Sequence, residues 1–490
     1  MKKINSVILF VLIFLLLMLE SSCSQPDNDD NSVYEKDNPQ TPTEIQDIPE
    51  ETTVDPDYQY GGEQFDFNGE TFTFVYADVW GDPKFPETEN GDVVNDATYR
   101  CLIETEEFFN LKIQPVRHVG MDGSAKAISQ EVRAGINSFD AALTPEINGL
   151  PSLVTNNYLY NWQKMPNVDF SQKYWNQSLI DDFTINGYLP FAANDFITTM
   201  PLFILFNKEL IKDYGLENPY ELVKSGKWTW TKFTEMAKKV SKDLTGDGQF
   251  GLDDLYGYAG MCDWELTSVM YSCDQNLLRK EDDGRYVLDV YTEKMQSIVE
   301  TFYDLIHVGT QSYTYSYAER DMPQVQFKSG RVLFTTDQID TMELRTIEFD
   351  FGILPYPKFD EQQEKHISLG WGSLTFSVPI NVSDPERVGA VTEYMGAKAH
   401  ELIIPATFDN LLRRKVARDK ESEEMLDIIY GNIVYDFGMM FSNFNEMFYI
   451  LPTMMNEKTT DLTSFYEKRA SSVQRQYDKI YDACIANSEE

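Results

Sequence analysis

The chain has 490 residues, 42% of them hydrophobic and 13% aromatic, which is too long for one ordinary core and enough for two. It carries 80 acidic against 41 basic residues, a formal net charge of −39. That charge repels phosphate backbones and argues against nucleic acid as a partner. The four histidines, His118, His307, His366 and His400, lack the paired spacing that a histidine-built zinc site uses.

Residues 1–22 read as an export signal. Lys2 and Lys3 form a positive start, and Val7 to Leu19 is an unbroken apolar run, short for a membrane-spanning helix. Ser21-Ser22-Cys23 then resembles a bacterial lipobox, in which the cysteine is acylated, although Glu20 stands where an aliphatic residue is usual. The alternative is ordinary cleavage with a free Cys23. Residues 23–65 are polar, acidic and proline-bearing, a composition that cannot bury enough surface to fold. As a tether they reach on the order of 35 Å.

From Asp66 onward strands alternate with helices. Thr71–Tyr76, Leu111–Val116 and Phe139–Leu143 read as strands, and Val93–Asn110 and Ser124–Ala134 as helices, which predicts an α/β sheet with parallel strands. Ligands of such sheets sit beyond the carboxyl ends of strands. Trp80, Asp82, Thr144 and Glu146 fall at those ends. Asn186-Gly187, between DDFTI and YLPFAA, signals a hairpin. Phe203–Phe206 reads as a strand, followed by a short helix from Asn207 that Gly215 ends. A second helix starts with Thr229 as N-cap and carries Trp230, Phe233, Met236, Ala237 and Val240 at helical spacing.

The order YLPFAAND, FNKEL…YGL..P and GKWTWTKF…A resembles the inter-lobe crossover of bacterial extracellular solute-binding proteins, family 1, the sugar-binding subunits of ABC importers. FKSGRVLFTTD and FGILPYPKFDEQQ continue the match, which covers Asp66 to the C-terminus. The resemblance implies a two-lobed, periplasmic-binding-protein-like α/β fold of type II, with a ligand cleft between hinged lobes. Its boundaries are 66–197 for the first part of lobe 1, 198–352 for lobe 2, 353–404 for the return to lobe 1, and 405–490 for C-terminal helices mainly on lobe 2. Phe327–Phe334 is then a strand, Phe351–Pro357 the return crossing, Gly370–Pro379 another strand of lobe 1, Pro385–Ala399 and Thr292–Val308 helices, with further helices at Glu421–Tyr435 and Thr460–Asn487.

By the same resemblance Asn194, Asp195 and Asp337 are cleft positions; hinge hydrogen bonding or capping is their plainer role. Sugar sites need flat aromatic faces beside polar groups. Trp80, Trp264 and Trp371 fall in loops or at strand ends facing the expected cleft, while Trp228 and Trp230, at a helix start, read as core. No G-x-S-x-G elbow, H-E-x-x-H helix or Walker P-loop occurs, so any ATP hydrolysis belongs to a partner.

Asp243 to Asp254 fits a calcium loop in part. Asp243, Asp247 and Asp254 stand at positions 1, 5 and 12 and Gly248 at position 6, with Thr245 and Gln249 as further ligands. Thr245 at position 3 and the short Asp254 at position 12 depart from the motif, and a metal-free turn is the alternative. Cys101, Cys262, Cys273 and Cys484 are too few for a disulfide framework, although a Cys262–Cys273 bridge or free thiols are both open. The expected protein is therefore a monomeric, lipid-anchored receptor, working with a permease and its separate ATPase. It has no cofactor beyond a structural Ca2+. The rivals are an exported carbohydrate-active enzyme and a receptor for another solute such as a peptide.

Overall fold

The computed structural model describes residues 59–79, 85–199, 201–261, 263–309, 311–337, 344, 346–370, 373–408, 417–443 and 445–489. Two separate sheets carry the fold. The strands of the first are β1 (Glu70–Asp78), β2 (Leu111–Val119), β3 (Ala141–Pro145) and, much later in the chain, β9 (Leu374–Ser377). Their spatial order is β9-β3-β1-β2, with β1, β2 and β3 parallel and β9 antiparallel. The second sheet has β4 (Phe203–Asn207), β5 (Tyr256–Met261), β6 (Ser312–Tyr315), β7 (Val332–Asp337) and β8 (Phe351–Leu354), in the order β8-β4-β7-β5-β6. β5, β6 and β7 run parallel, and β4 is antiparallel to both its neighbours.

Local chemistry explains most of these elements. Helix Val93–Phe109 begins at Asp92, whose carboxylate accepts from the amides of Val94 and Asn95, and ends at Asn110 in the left-handed conformation. It buries Ala97, Cys101, Leu102 and Phe109 against the first sheet and helix Pro385–Pro405. In the second lobe Thr229 accepts from Lys232 N as expected, and all five apolar residues of helix Trp230–Val240 are buried. Phe233 and Phe334 stack there with ring centres 4.6 Å apart. On the other face of that sheet Leu426 and Ile429, from helix Lys420–Tyr430, pack with Phe203, Leu205 and Ile353.

Several elements differ from the sequence reading. Phe327 lies in helix Met322–Lys328, and the strand begins only at Val332, after the turn at Gly330 (φ 77°). Phe351–Leu354 is the edge strand β8, so the return crossing begins at Pro355. Asn186 and Gly187 do form a positive-φ turn, but it closes one bridge, Ile185 to Tyr188. Its first arm is helix Gln177–Phe183, capped by Asn176. The helix from Lys420 stops at Tyr430, and Ile433-Val434 instead pairs with Ser368-Leu369.

The chain passes between the sheets along 192–203 and 354–374. It does so again between helix Pro385–Pro405, on the first lobe, and helix Lys420–Tyr430, on the second. The long helix Leu462–Ser488 touches both sides of this junction. Asn487 donates to Val154 O at 2.9 Å, while Asp482 pairs with Arg285 at 3.0 Å. Among the described residues no helix is long and apolar enough to cross a membrane.

Candidate functional site

β3 ends at Pro145, and the next residue, Glu146, is fully buried. Its Oε2 accepts from Ser373 N at 2.9 Å, and its own amide donates to Ser373 O at 3.2 Å. Glu146 thus fastens the carboxyl end of β3 to the segment that enters β9. Ser373 Oγ lies 3.0 Å from Thr199 Oγ1, and Thr199 touches the hydroxyl of Tyr435. Burial raises the Tyr435 phenol, and Thr199, Ser373 and Asn176 hydrogen-bond it. Glu146, Ser373, Thr199 and Tyr435 therefore join the end of a first-lobe strand to the first crossing, the return crossing and the C-terminal segment.

On the second lobe, β5 leads into helix Trp264–Ser272. Trp264 is half-buried at its first position. Glu265, beside it, is buried, and Thr336 of β7 donates to its carboxylate. The carboxyl ends of β3 on one side and of β5 and β7 on the other each carry a buried glutamate. A carboxylate held by neighbouring donors at a strand end accepts strong hydrogen bonds, the chemistry that orients hydroxyl groups.

The expected site residues divide. Thr144 is buried within β3, its carbonyl accepting from Thr375 Oγ1 at 3.2 Å and its own hydroxyl without a partner among the described residues. Asn194 is buried and donates to Thr392 O at 2.8 Å while accepting from Phe196 N. Asp195 Oδ2 lies 2.7 Å from His400 Nδ1, and burial raises its carboxyl. Asn194 and Asp195 line a cavity of about 290 Å³ together with Thr199, Ile404, Phe408, Tyr430 and Tyr435. Asp337 closes β7 opposite Phe203. Trp80, Asp82, Trp371 and Cys23 lie outside the described residues, as does Cys262. Cys101, Cys273 and Cys484 are buried free thiols, and burial pushes Cys273 and Cys484 up to about 12.

In the loop from Asp243, that residue accepts from Gly246 N at 2.6 Å, Gly248 N at 2.9 Å and Thr245 Oγ1 at 3.1 Å. Asp254 accepts from Leu244, Thr245 and Gly251 amides. These donors hold both carboxyls below the usual carboxylate range. Asp247 and Gln249 are exposed. Among the described residues no group of three or more His, Cys, Asp or Glu is placed to share a metal ion.

Thr199, Ser373, Tyr435 and Glu265 carry no sequence signature of their own. Only the strand-end rule, applied to Glu146 and to the neighbourhood of Trp264, pointed towards them.

Residues 105–398 match the family model described as bacterial extracellular solute-binding protein. No curated protein sequence matches. Among solved structures, an ABC substrate-binding protein of Listeria monocytogenes in complex with cycloalternan superposes with TM-score 0.52 at 13% identity, over 84% of this chain and 98% of its own. A solute-binding protein of Thermotoga lettingae bound to α-D-tagatose gives 0.53 at 14% identity, over 84% and 100%. The GacH receptor of Streptomyces glaucescens, known with acarbose, gives 0.52 at 13%, over 86% and 99%. These likenesses establish the two-lobed fold. The family match covers more than half of the sequence, and this chain belongs to the bacterial extracellular solute-binding proteins.

Proposed function

We propose that this protein captures a carbohydrate, with an oligosaccharide as the expected form, and hands it to the transmembrane permease of an ABC importer whose ATPase is a separate subunit. The observation that carries this reading is the pair of buried strand-end glutamates, Glu146 and Glu265, held on opposite lobes beside the crossings. The bound sugars of the structurally similar receptors support it. Binding energy shifts an open–closed equilibrium about the crossings, with no covalent step. A thermal-shift screen against an oligosaccharide panel that includes maltose, followed by calorimetry and chromatography of the recovered sugar, tests it. Saturable binding with the sugar recovered unchanged is expected. Cleaved sugar would make the protein an enzyme, and binding of peptides alone would make it a peptide receptor.

The reading includes anchoring at Cys23, which rests on the apolar run and Ser21-Ser22-Cys23. Cys23→Ala is expected to release the protein from membranes or to block its maturation. Full membrane retention of a correctly processed variant overturns the lipid anchor.

It also includes a weak calcium site at Asp243, Thr245, Asp247, Gln249 and Asp254. The support is the loop's spacing and the exposure of Asp247 and Gln249. Millimolar calcium is expected to raise the melting temperature of the wild type and not of Asp247→Ala. A wild-type melt unmoved by calcium or chelator makes the loop a turn closed by its own backbone donors.

A further inference from the structure

Helix Pro385–Pro405 turns one face to the first crossing. The Thr392 carbonyl accepts from Asn194 Nδ2 at 2.8 Å, and His400 Nδ1 lies 2.7 Å from Asp195 Oδ2. Gly396 sits so close that an added Cβ would come within 2.7 Å of Asn194 Nδ2. Between these contacts Glu393, 3% exposed, accepts from the Tyr174 hydroxyl at 2.5 Å, the Trp175 indole N–H at 2.7 Å and the Asp169 amide at 3.2 Å. Trp175 in turn bridges to Asn194. Glu393 therefore clasps the loop that backs the hinge strand.

Two of its three donors are N–H groups, which can only donate. The third, the Tyr174 hydroxyl, can turn and accept. Ionised, Glu393 accepts from all three. Protonated, it donates to Tyr174 Oη and still accepts from Trp175 and Asp169. Glu393 keeps three hydrogen bonds either way; the neutral form turns the Tyr174 O–H away from the carboxyl, and the charged form leaves a charge buried. We propose that Glu393 is a proton-sensitive latch on the hinge: neutral, it locks 169–176 and 192–199 to the helix, and charged, it favours their release into solvent.

The titratable groups facing Glu393 are Tyr174 and Asp169 on the loop and Tyr60 ahead of β1. Among the described residues no ion pair includes it. Burial raises its carboxyl to about 7, against 4.5 for the free side chain. The folded value is the higher one, so the latch is fully set below the free value and is lost as pH rises through 7. Asp195, whose carboxyl is also raised by burial, keeps its His400 partner in the variants below, which separates the two groups.

The test is hydrogen–deuterium exchange of the full chain at pH 6 and pH 8, corrected for intrinsic exchange rates and read on peptides covering 169–176 and 192–199. The wild type is expected to open about tenfold more readily at pH 8, as the two protonation equilibria require. In Glu393→Gln the amide N–H donates to Tyr174 and the oxygen accepts from Trp175, which mimics the neutral acid, so the ratio should stay near one. Tyr174→Phe removes a donor that stabilises the charged form, so its rise should move to higher pH. Equal protection of the wild type at both pH values overturns the latch. So does a Glu393→Gln rise matching the wild type, or, if that variant does not fold, an unmoved transition in Tyr174→Phe.

Discussion

Replacing Trp228 by alanine is expected to lower stability by about 3–5 kcal/mol, the range for removing a buried aromatic. Its side chain is fully buried. The ring meets Phe334 of β7 at 5.5 Å and Phe233 of helix Trp230–Val240 at 6.0 Å, so its loss opens a void between the sheet and the helix that covers it. The indole N–H donates to Pro355 O at 2.9 Å, which alanine leaves without that donor. The backbone around it is knitted to the return crossing as well. Lys358 N donates to Trp228 O and Trp230 N to Lys358 O, each at 3.0 Å. Trp228 thus holds the start of helix Trp230–Val240 against the segment that leaves the second lobe. Urea unfolding of wild type and Trp228→Ala, read with an unchanged slope, measures the difference. A loss below about 1 kcal/mol would mean that the site collapses to fill the void, and that Trp228 is not a keystone of this core.

How much of this could be read from residues depends on the reach of each interaction. Helix Trp230–Val240 was legible because its cap and apolar stripe are local: Thr229 to Lys232 is one turn, and Phe233, Met236, Ala237 and Val240 share one face. Phe327 was misleading because QFKSGRVLF places a core phenylalanine five residues before an apolar strand. A short apolar run does not by itself distinguish the end of a helix from the start of a strand. DDFTI misled in the same way, since Leu179, Ile180 and Phe183 already have helical spacing behind the Asn176 cap. The strand-end rule singled out Glu146, yet the residues it bonds to were out of reach. Ser373 is 227 positions away and Thr199 meets Tyr435 across 236. Glu393 meets Tyr174 across 219 positions, and a glutamate in a helix reads as solvent-facing until the fold buries it. Asp195 pairs with His400 across 205 positions, a partner that its place after the hinge strand does not announce.

The helix that bears Glu393 is itself held at its start by a buried charge pair, and breaking that pair is expected to cost about 3–5 kcal/mol. Arg387 donates to Asp140 Oδ1 at 2.5 Å and to Glu70 Oε2 at 2.6 Å. The Asp140 side chain is 8% exposed and that of Arg387 12%, while Glu70 is 62% exposed and well screened. Asp140 also accepts from Thr73 N of β1 at 2.7 Å, so one carboxylate ties β1 and the entry to β3 to the helix. Asp140→Ala removes the guanidinium's buried partner and the acceptor of a strand amide together. A buried pair gains little over apolar side chains of the same volume, since both ions lose their water; the large cost comes from the charge left alone. Asp140→Ala with Arg387→Met should therefore regain part of the loss, although Thr73 N remains without its acceptor. Thermal melts of the wild type, both single variants and the double variant close this cycle. If the double variant is no more stable than Asp140→Ala, the cost lies in the Thr73 hydrogen bond and the packing of the strand, and Arg387 is not the charge that Asp140 is there to balance.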